Sequence, residues 1–123
     1  PAAAFAQVQN TVAAQTAASL WLEKLDASEF EQTWELAASV FKSALTRDAW
    51  VKAAQSARKP LGAVKSRTDK SVTWSRSLPG VPDGQYVVIQ YDTVFENKAG
   101  SVETLTVMVD TDDEWRMIGY FIK

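Results

Sequence analysis

The residues of this chain that could carry chemistry are its carboxylates, arginines, lysines and tyrosines. The sequence has no histidine and no cysteine among its 123 residues. Thiol nucleophiles, Ser-His triads, Cys/His zinc sites, iron-sulfur clusters and disulfides are therefore excluded. Polar side chains that bind anions or exchange protons remain as candidates for a shared pocket: Arg58, Arg67, Tyr86, Tyr91, Asp92 and Glu103.

Arg58 and Arg67 flank a predicted junction between helices and strands. Two guanidinium groups at such a junction could hold one carboxylate or phosphate between them, because each binds these groups bidentately. The structural alternative is that one of the two arginines pairs with Glu103 or with a carbonyl at a helix C-terminus. The sequence leaves both interpretations open.

The alternation of residues 85–96 predicts which candidates face inward. Successive side chains of a strand point to opposite faces, and the face that carries Ile89 and Tyr91 is the more apolar one. We expect that face to pack against the helices, with Tyr91 and Thr93 as its polar groups. Asp92 then points outward, which takes the best general base out of the pocket, so no catalytic residue is assigned.

Basic residues are concentrated in the middle of the chain. Residues 47–76 hold 8 lysines and arginines and 2 acidic residues, although the net charge of the whole chain is -2. The acidic balance argues against nucleic-acid binding, which needs a basic excess. This segment is either neutralised by neighbouring acidic strands or forms a surface for a protein or an anionic cell-envelope partner. Lys70, Trp74 and Arg76 would serve that surface, with Arg76 stacked on Trp74.

Apolar residues at helical spacing predict three helices before Gly62. The predicted helices cover residues 4–25, 28–41 and 46–57. Ser28 and Glu31 have the Ser-x-x-Glu spacing of a capping box, which predicts that the second helix begins at Ser28. Thr46 is the expected N-cap of the third helix, and Pro60 ends it.

After Gly62 the pattern becomes alternating and predicts four strands, over residues 64–76, 85–96, 101–110 and 114–122. The first strand is expected to be irregular around residues 68–70, and the Pro/Gly loop of residues 78–84 to be rigid. Helices that precede a run of hairpin-connected strands predict one α+β domain over residues 1–123. We expect its three N-terminal helices to pack on one face of a curved four-stranded antiparallel sheet.

Aromatic residues on the apolar stripes predict the core. Those expected to be largely buried are Trp34, Phe41, Trp50, Tyr91, Phe95 and Trp115. An acidic turn at residues 110–114 has the composition of a calcium loop but lacks the glycine and the ligand spacing of an EF-hand. We therefore expect a solvated hairpin tip there, and neither a metal site nor a cofactor is predicted.

The N-terminal residues Ala4-Phe5-Ala6 are similar to the end of a secretory signal. Residues 1–6 are accordingly interpreted as a signal-peptide remnant or a disordered N-terminus, and the protein as periplasmic or secreted. The apolar runs are far shorter than the roughly 18 to 20 residues needed to cross a bilayer, so no transmembrane segment is expected. The oligomeric state is not predicted.

The order of several short motifs resembles one bacterial family. These motifs include Arg58-Lys59-Pro60-Leu61-Gly62, Leu78-Pro79-Gly80-Val81-Pro82-Asp83-Gly84, Tyr91-Asp92-Thr93-Val94-Phe95 and Trp115-Arg116-Met117-Ile118-Gly119-Tyr120. Over residues 18–122 the chain is similar to domain of unknown function 4019, whose members are small bacterial proteins with an export signal and no assigned activity. The last strand also resembles that of nuclear transport factor 2-like (cystatin-like) folds. This resemblance implies a cone, and such cones often hold a pocket between the sheet and the helices.

Three functions are compatible with these features. The preferred hypothesis is a non-enzymatic interaction module of the bacterial periplasm or cell envelope that presents the basic strand and the Pro/Gly loop to a partner. An immunity or inhibitor protein is one form of it. The first alternative is a small-molecule binder that uses the interior of the cone. The second is an acid-base enzyme of the same fold. A hollow interior would favour the two alternatives, and a filled interior would remove both.

Overall fold

The computed structural model describes the backbone of residues 2–123 and the side chains of residues 11–123. The helices of this part are α1 (Ala2–Asp26), α2 (Phe30–Glu35), α3 (Ser39–Ala44), α4 (Arg47–Arg58) and a 3-10 turn (Lys59–Leu61). The strands are β1 (Val64–Ser75), β2 (Tyr86–Phe95), β3 (Lys98–Val109) and β4 (Trp115–Ile122). The expectations for residues 1–6 lie outside the fully described residues and stay predictions.

The four strands form one antiparallel sheet in the order β1-β2-β3-β4, so β1 and β4 are its edges. Helix residues such as Trp21 and Leu25 share one hydrophobic core with the inward face of β2 and β3. The predicted α+β class, with helices packed on an antiparallel sheet, is confirmed. None of the described helices is both long and apolar enough to cross a membrane.

The predicted second helix is two short helices with an extended step between them. Ala38 leaves the helical conformation and its N–H donates to the Met117 carbonyl at 2.8 Å, while Ala37 forms a parallel bridge to Met117. The capping box is also wrong, because Ser28 has a φ of 62° and α2 begins after Glu29 without a side-chain cap. Pairing with the edge of β4 replaces the helical hydrogen bonds that the sequence pattern favoured.

Thr33 joins three elements in the core and was not predicted. Its carbonyl accepts from the Trp21 indole N–H at 3.0 Å, and its hydroxyl accepts from the Trp50 indole N–H at 2.9 Å. Trp50, Tyr91 and Phe95 are buried as expected. Trp34, Phe41 and Trp115 are only half-buried and pack against the edge of this core.

The register of the sheet confirms the inward and outward assignments of β2. Tyr91 and Thr93 are buried and Asp92 is exposed. The ladder between β1 and β2 is irregular between Asp69 and Ser71, as expected for this part of the first strand. Thr46 caps α4 by accepting the Ala49 N–H at 3.2 Å, also as predicted.

Candidate functional site

Four charged side chains meet at the junction between α1, α4 and the sheet. They are Asp26 at the end of α1, Arg58 at the end of α4, Arg67 on β1 and Glu103 on β3. We call these four residues the charge network. Arg67 lies opposite Thr93 in the ladder and Glu103 lies opposite Tyr91, so the inward face of the sheet brings the predicted residues together.

Glu103 is fully buried, and donors fill both oxygens of its carboxylate. One oxygen accepts from Arg67 Nε at 2.7 Å and from the Thr93 hydroxyl at 2.5 Å. The other accepts from Arg67 Nη2 at 3.1 Å and from the Tyr120 hydroxyl. All four hydrogen bonds to this carboxylate therefore come from the protein's own side chains.

Arg67 uses two edges of its guanidinium group. Besides Glu103, it binds Asp26 through Nη1 at 2.8 Å and through Nη2 at 3.0 Å. Burial acts to lower the pKa of Arg67, but the hydrogen bonds to Asp26 and Glu103 outweigh it and raise the pKa. Burial likewise acts to raise the pKa of Asp26, and its bonds to Arg67 and Arg58 lower it below the usual 3.8.

Arg58 completes the network on the other side of Asp26. It is 6% exposed, donates from Nη2 to Asp26 at 3.0 Å, and lies 5.1 Å from the centre of the Phe95 ring. The two arginines that could have held an external anion between them thus both bind the protein's own Asp26. Arg58 Nε and Nη1 are buried without a hydrogen-bond partner among the described residues.

The two tyrosines beside the network stay protonated well above neutral pH. Burial, followed by the charge of Asp69, raises the pKa of Tyr91 to about 12, while Arg67 acts to lower it. Burial and then the charge of Glu103 also raise the pKa of Tyr120. Neither phenol is therefore suited to act as a base near neutral pH.

The other candidate residues lie away from the network. Lys70 is half-exposed and lies 3.7 Å from Asp92 on the neighbouring strand. Arg76 lies 5.5 Å from the centre of the half-buried Trp74 ring, in the stacked arrangement expected from the sequence. Tyr86 is buried beneath the Pro/Gly loop, where its hydroxyl donates to the Pro82 carbonyl.

The acidic turn serves the fold. Asp110 accepts from the Ser39 N–H at 2.8 Å and from the Ser39 hydroxyl at 2.7 Å, at the start of α3. Asp112 accepts from Arg116 on β4. No group of three or more acidic side chains that could hold a metal ion occurs among the described residues.

A groove of about 400 Å³ separates α4 from β4. Its lining residues are mostly small or apolar: Trp50, Ala53, Ala54, Ala57, Leu61, Lys98, Tyr120, Phe121 and Ile122. We call it the β4 groove. The sequence reasoning missed it because its two walls are far apart along the chain. The alanines of α4 were predicted only as the apolar stripe of a helix.

Asp26 belongs to the charge network but was not among the residues predicted from the sequence. A signal for it exists, because an acidic residue in the last turn of a helix lies at the negative end of the helix dipole. Such a residue needs a cationic partner. Here Arg58 and Arg67 provide that partner.

Comparison with known proteins identifies a family and no activity. A family model described as "Protein of unknown function (DUF4019)" matches residues 17–120. No curated protein matches the chain, and no solved structure matches it. The likeness to nuclear transport factor 2-like folds therefore stays a prediction. The matched span covers the motifs that suggested the resemblance and all four residues of the charge network, and the chain belongs to the DUF4019 family.

Proposed function

We propose that this protein is a non-enzymatic interaction module that recognises another protein through its surface. The charge network carries the proposal. Arg67 binds both Glu103 and Asp26, so the polar groups of the sheet's inner face serve the fold. A binding function is then left to the surface.

The same network argues against an acid-base enzyme of this fold. A general base needs a free lone pair within reach of a substrate proton. Glu103 is 0% exposed and accepts from Arg67, Thr93 and Tyr120. Asp92 is exposed on the outer face, away from this interior.

A small-anion binder is the second candidate, and one observation favours it. A pocket of about 290 Å³ at the ends of α1 and α4 is lined by Arg58, Lys59 and Ser28, and also by the acidic Asp26, among other residues. Arg58 has two buried donors without a described partner. Titration with inorganic phosphate tests this function. Saturable amide shifts confined to this pocket, lost in Arg58→Met, would support the candidate over a surface module.

We further propose that the module acts in the bacterial periplasm or cell envelope. The support is the similarity of Ala4-Phe5-Ala6 to the end of a secretory signal, together with the bacterial, exported members that the family resemblance implies. Fractionation of the source bacterium tests this proposal. Recovery of the protein with cytoplasmic markers alone would contradict it.

Photo-crosslinking in the source bacterium tests the interaction function directly. A photoreactive phenylalanine analogue would replace each large exposed apolar residue of the described chain in turn: Val12, Leu20, Leu36, Val40 and Phe121. We expect a discrete adduct with another protein from at least one position and none from a control at the buried Tyr86. Absence of adducts, together with a small molecule that perturbs the amides around Glu103, would contradict the proposal. An adduct with a toxin or an enzyme would identify an immunity or inhibitor protein.

A further inference from the structure

One edge of the sheet, the outer side of β4, lies in the β4 groove. Val102 and Lys123 exchange backbone hydrogen bonds of 3.1 and 2.9 Å, and the register then pairs Glu103 with Ile122 and Leu105 with Tyr120. Bonded and non-bonded pairs alternate in an antiparallel ladder. The backbone N–H and C=O groups of Tyr120 and Ile122 therefore point away from β3, and no other described residue bonds to them.

Within the described part of the chain, one bridge is formed with this edge. Ala37 forms its parallel bridge at Met117, at the other end of β4. Beyond that bridge the edge runs along the groove wall that Tyr120 and Ile122 form. An unpaired edge is a template for another strand, unless the protein covers it.

The opposite wall leaves room for a strand and its side chains. Ala53 and Ala57 on α4 are small, and Leu61 follows them in the 3-10 turn. A strand added about 4.8 Å from β4 would direct alternate side chains toward these residues. The groove therefore offers both parts of strand addition, which are backbone partners and a surface for every second side chain.

The charge of the groove indicates which charged residue a bound strand would carry. Lys98 is the one charged residue among those that line the groove, and it has no ion pair with a described residue. A carboxylate on the bound segment would neutralise it. A second copy of β4 would not, because β4 contains no acidic residue.

We infer that the β4 groove binds an extended segment of a partner protein as a fifth strand, with apolar side chains toward α4 and an acidic residue beside Lys98. This inference rests on the proposed function, since it names the surface and the partner chemistry of the interaction module. Tyr120 and Ile122 supply the backbone pairing.

Four synthetic peptides test the inference. Each has the form acetyl-Asp-X-Thr-X-Thr-X-Asp-amide, with X uniformly Ala, Val, Leu or Phe. We expect at least one to bind and to shift the amide resonances of Gly119 to Lys123 and of α4. Two N-methylated versions of the peptide are compared, one methylated at the odd-numbered residues and one at the even-numbered residues. One version should lose binding and the other should keep it, because only one set of N–H groups faces β4. Failure of all four peptides, or equal loss in both versions, would overturn the inference.

Matched variants locate the site. Ala57→Trp fills the groove and should weaken peptide binding more than tenfold, whereas Ser56→Trp, on an exposed position outside the lining, should not change it. Lys98→Glu should weaken binding about fivefold, and replacement of the peptide aspartates by lysines should restore it. Insensitivity to all of these changes would overturn the inference.

Other occupants give distinct results. A dimer in sedimentation that Ala57→Trp dissociates would assign the groove to a second copy and overturn the inference. Displacement of the peptide by oleate with the same variant sensitivity would assign it to an acyl chain and also overturn it. Crosslinks from Val12 or Val40 but not from Phe121 would leave the interaction function standing and contradict this site alone.

Discussion

The charge network and the β4 groove differ in whether their polar groups have hydrogen-bond partners. In the network, Glu103 accepts four hydrogen bonds and Arg67 donates from two edges. In the groove, the edge groups of Tyr120 and Ile122 and the ammonium group of Lys98 have no partner in the described chain. Apart from Nε and Nη1 of Arg58, the buried polar groups of the network are paired, because an unpaired buried group destabilises the fold, whereas unpaired groups at a surface are satisfied by water until a partner arrives.

This difference changes the meaning of the basic segment. Of its arginines, Arg58 and Arg67 are drawn inside and neutralised by Asp26 and Glu103. Lys70 lies near Asp92, and Arg76 lies over Trp74. Four of the segment's eight basic residues are thus in ion pairs within the described chain, which partly neutralises its positive charge: Arg47, Arg58, Arg67 and Lys70. The binding surface that we propose lies at the opposite edge of the sheet, on β4.

Removal of Arg67 should give the largest effect. Arg67→Met leaves Glu103 buried without its main cation and should lower the free energy of unfolding by about 3 to 5 kcal/mol. Denaturant unfolding measures this loss. The double variant Arg67→Met/Glu103→Leu should recover part of it, because no uncompensated charge then remains at that position. A single-variant loss below about 1 kcal/mol would contradict a structural role for the network.

Truncation of Trp50, in the apolar part of the interior, should also lower the free energy of unfolding. Trp50→Ala removes a buried ring and the donor to Thr33, and should cost about 3 to 5 kcal/mol. Trp34→Ala should cost less, because Trp34 is only half-buried. Equal losses for the two variants in urea unfolding would mean that the core does not centre on Trp50 and Thr33.

The free energy of unfolding should decrease at both low and high pH, for two different reasons. The folded-state pKa of Asp26 is lowered, so its stabilising contribution is present above its usual pKa of 3.8 and is lost as the pH falls through the folded-state value. Asp26→Asn should flatten this acid limb. The pKa of Tyr91 is raised to about 12, so its contribution is present below the ordinary value of 10.0 and is lost as the pH rises toward 12.

Unfolding measured across the pH range tests both directions. Tyr91→Phe should flatten the alkaline limb and leave the acid limb unchanged. Stability of the unmodified protein that rises as the pH falls below 3.8 would contradict the assignment of Asp26.

Charge reversal on β1 should have the smallest effect. Lys70→Glu disrupts only the exposed pair with Asp92 and should cost less than about 1 kcal/mol. Lys70→Glu and Arg76→Glu together should also leave peptide binding unchanged, in contrast to Lys98→Glu. Loss of binding on β1 reversal, with unfolding unaffected and a steep dependence on salt, would return the binding surface to the basic strand.

Much of the fold could be predicted because it depends on local patterns. The alternation in residues 85–96 placed Tyr91 inward and Asp92 outward, as the structure has them. The second predicted helix failed at Ala37 and Ala38, because their pairing with Met117 depends on a strand far away in sequence. Helical periodicity within a segment carries no information about pairing with a distant strand.

The sequence by itself determined the α+β class, the absence of histidine and cysteine chemistry, and the family. It also limited Arg67 to two roles, of which the structural one holds, because burial makes pairing with Glu103 obligatory. Only the tertiary structure decided that Asp26 binds both arginines and that an open strand edge faces the alanines of α4. Both arrangements join residues that no spacing relates, since packing of helices on the sheet sets those distances.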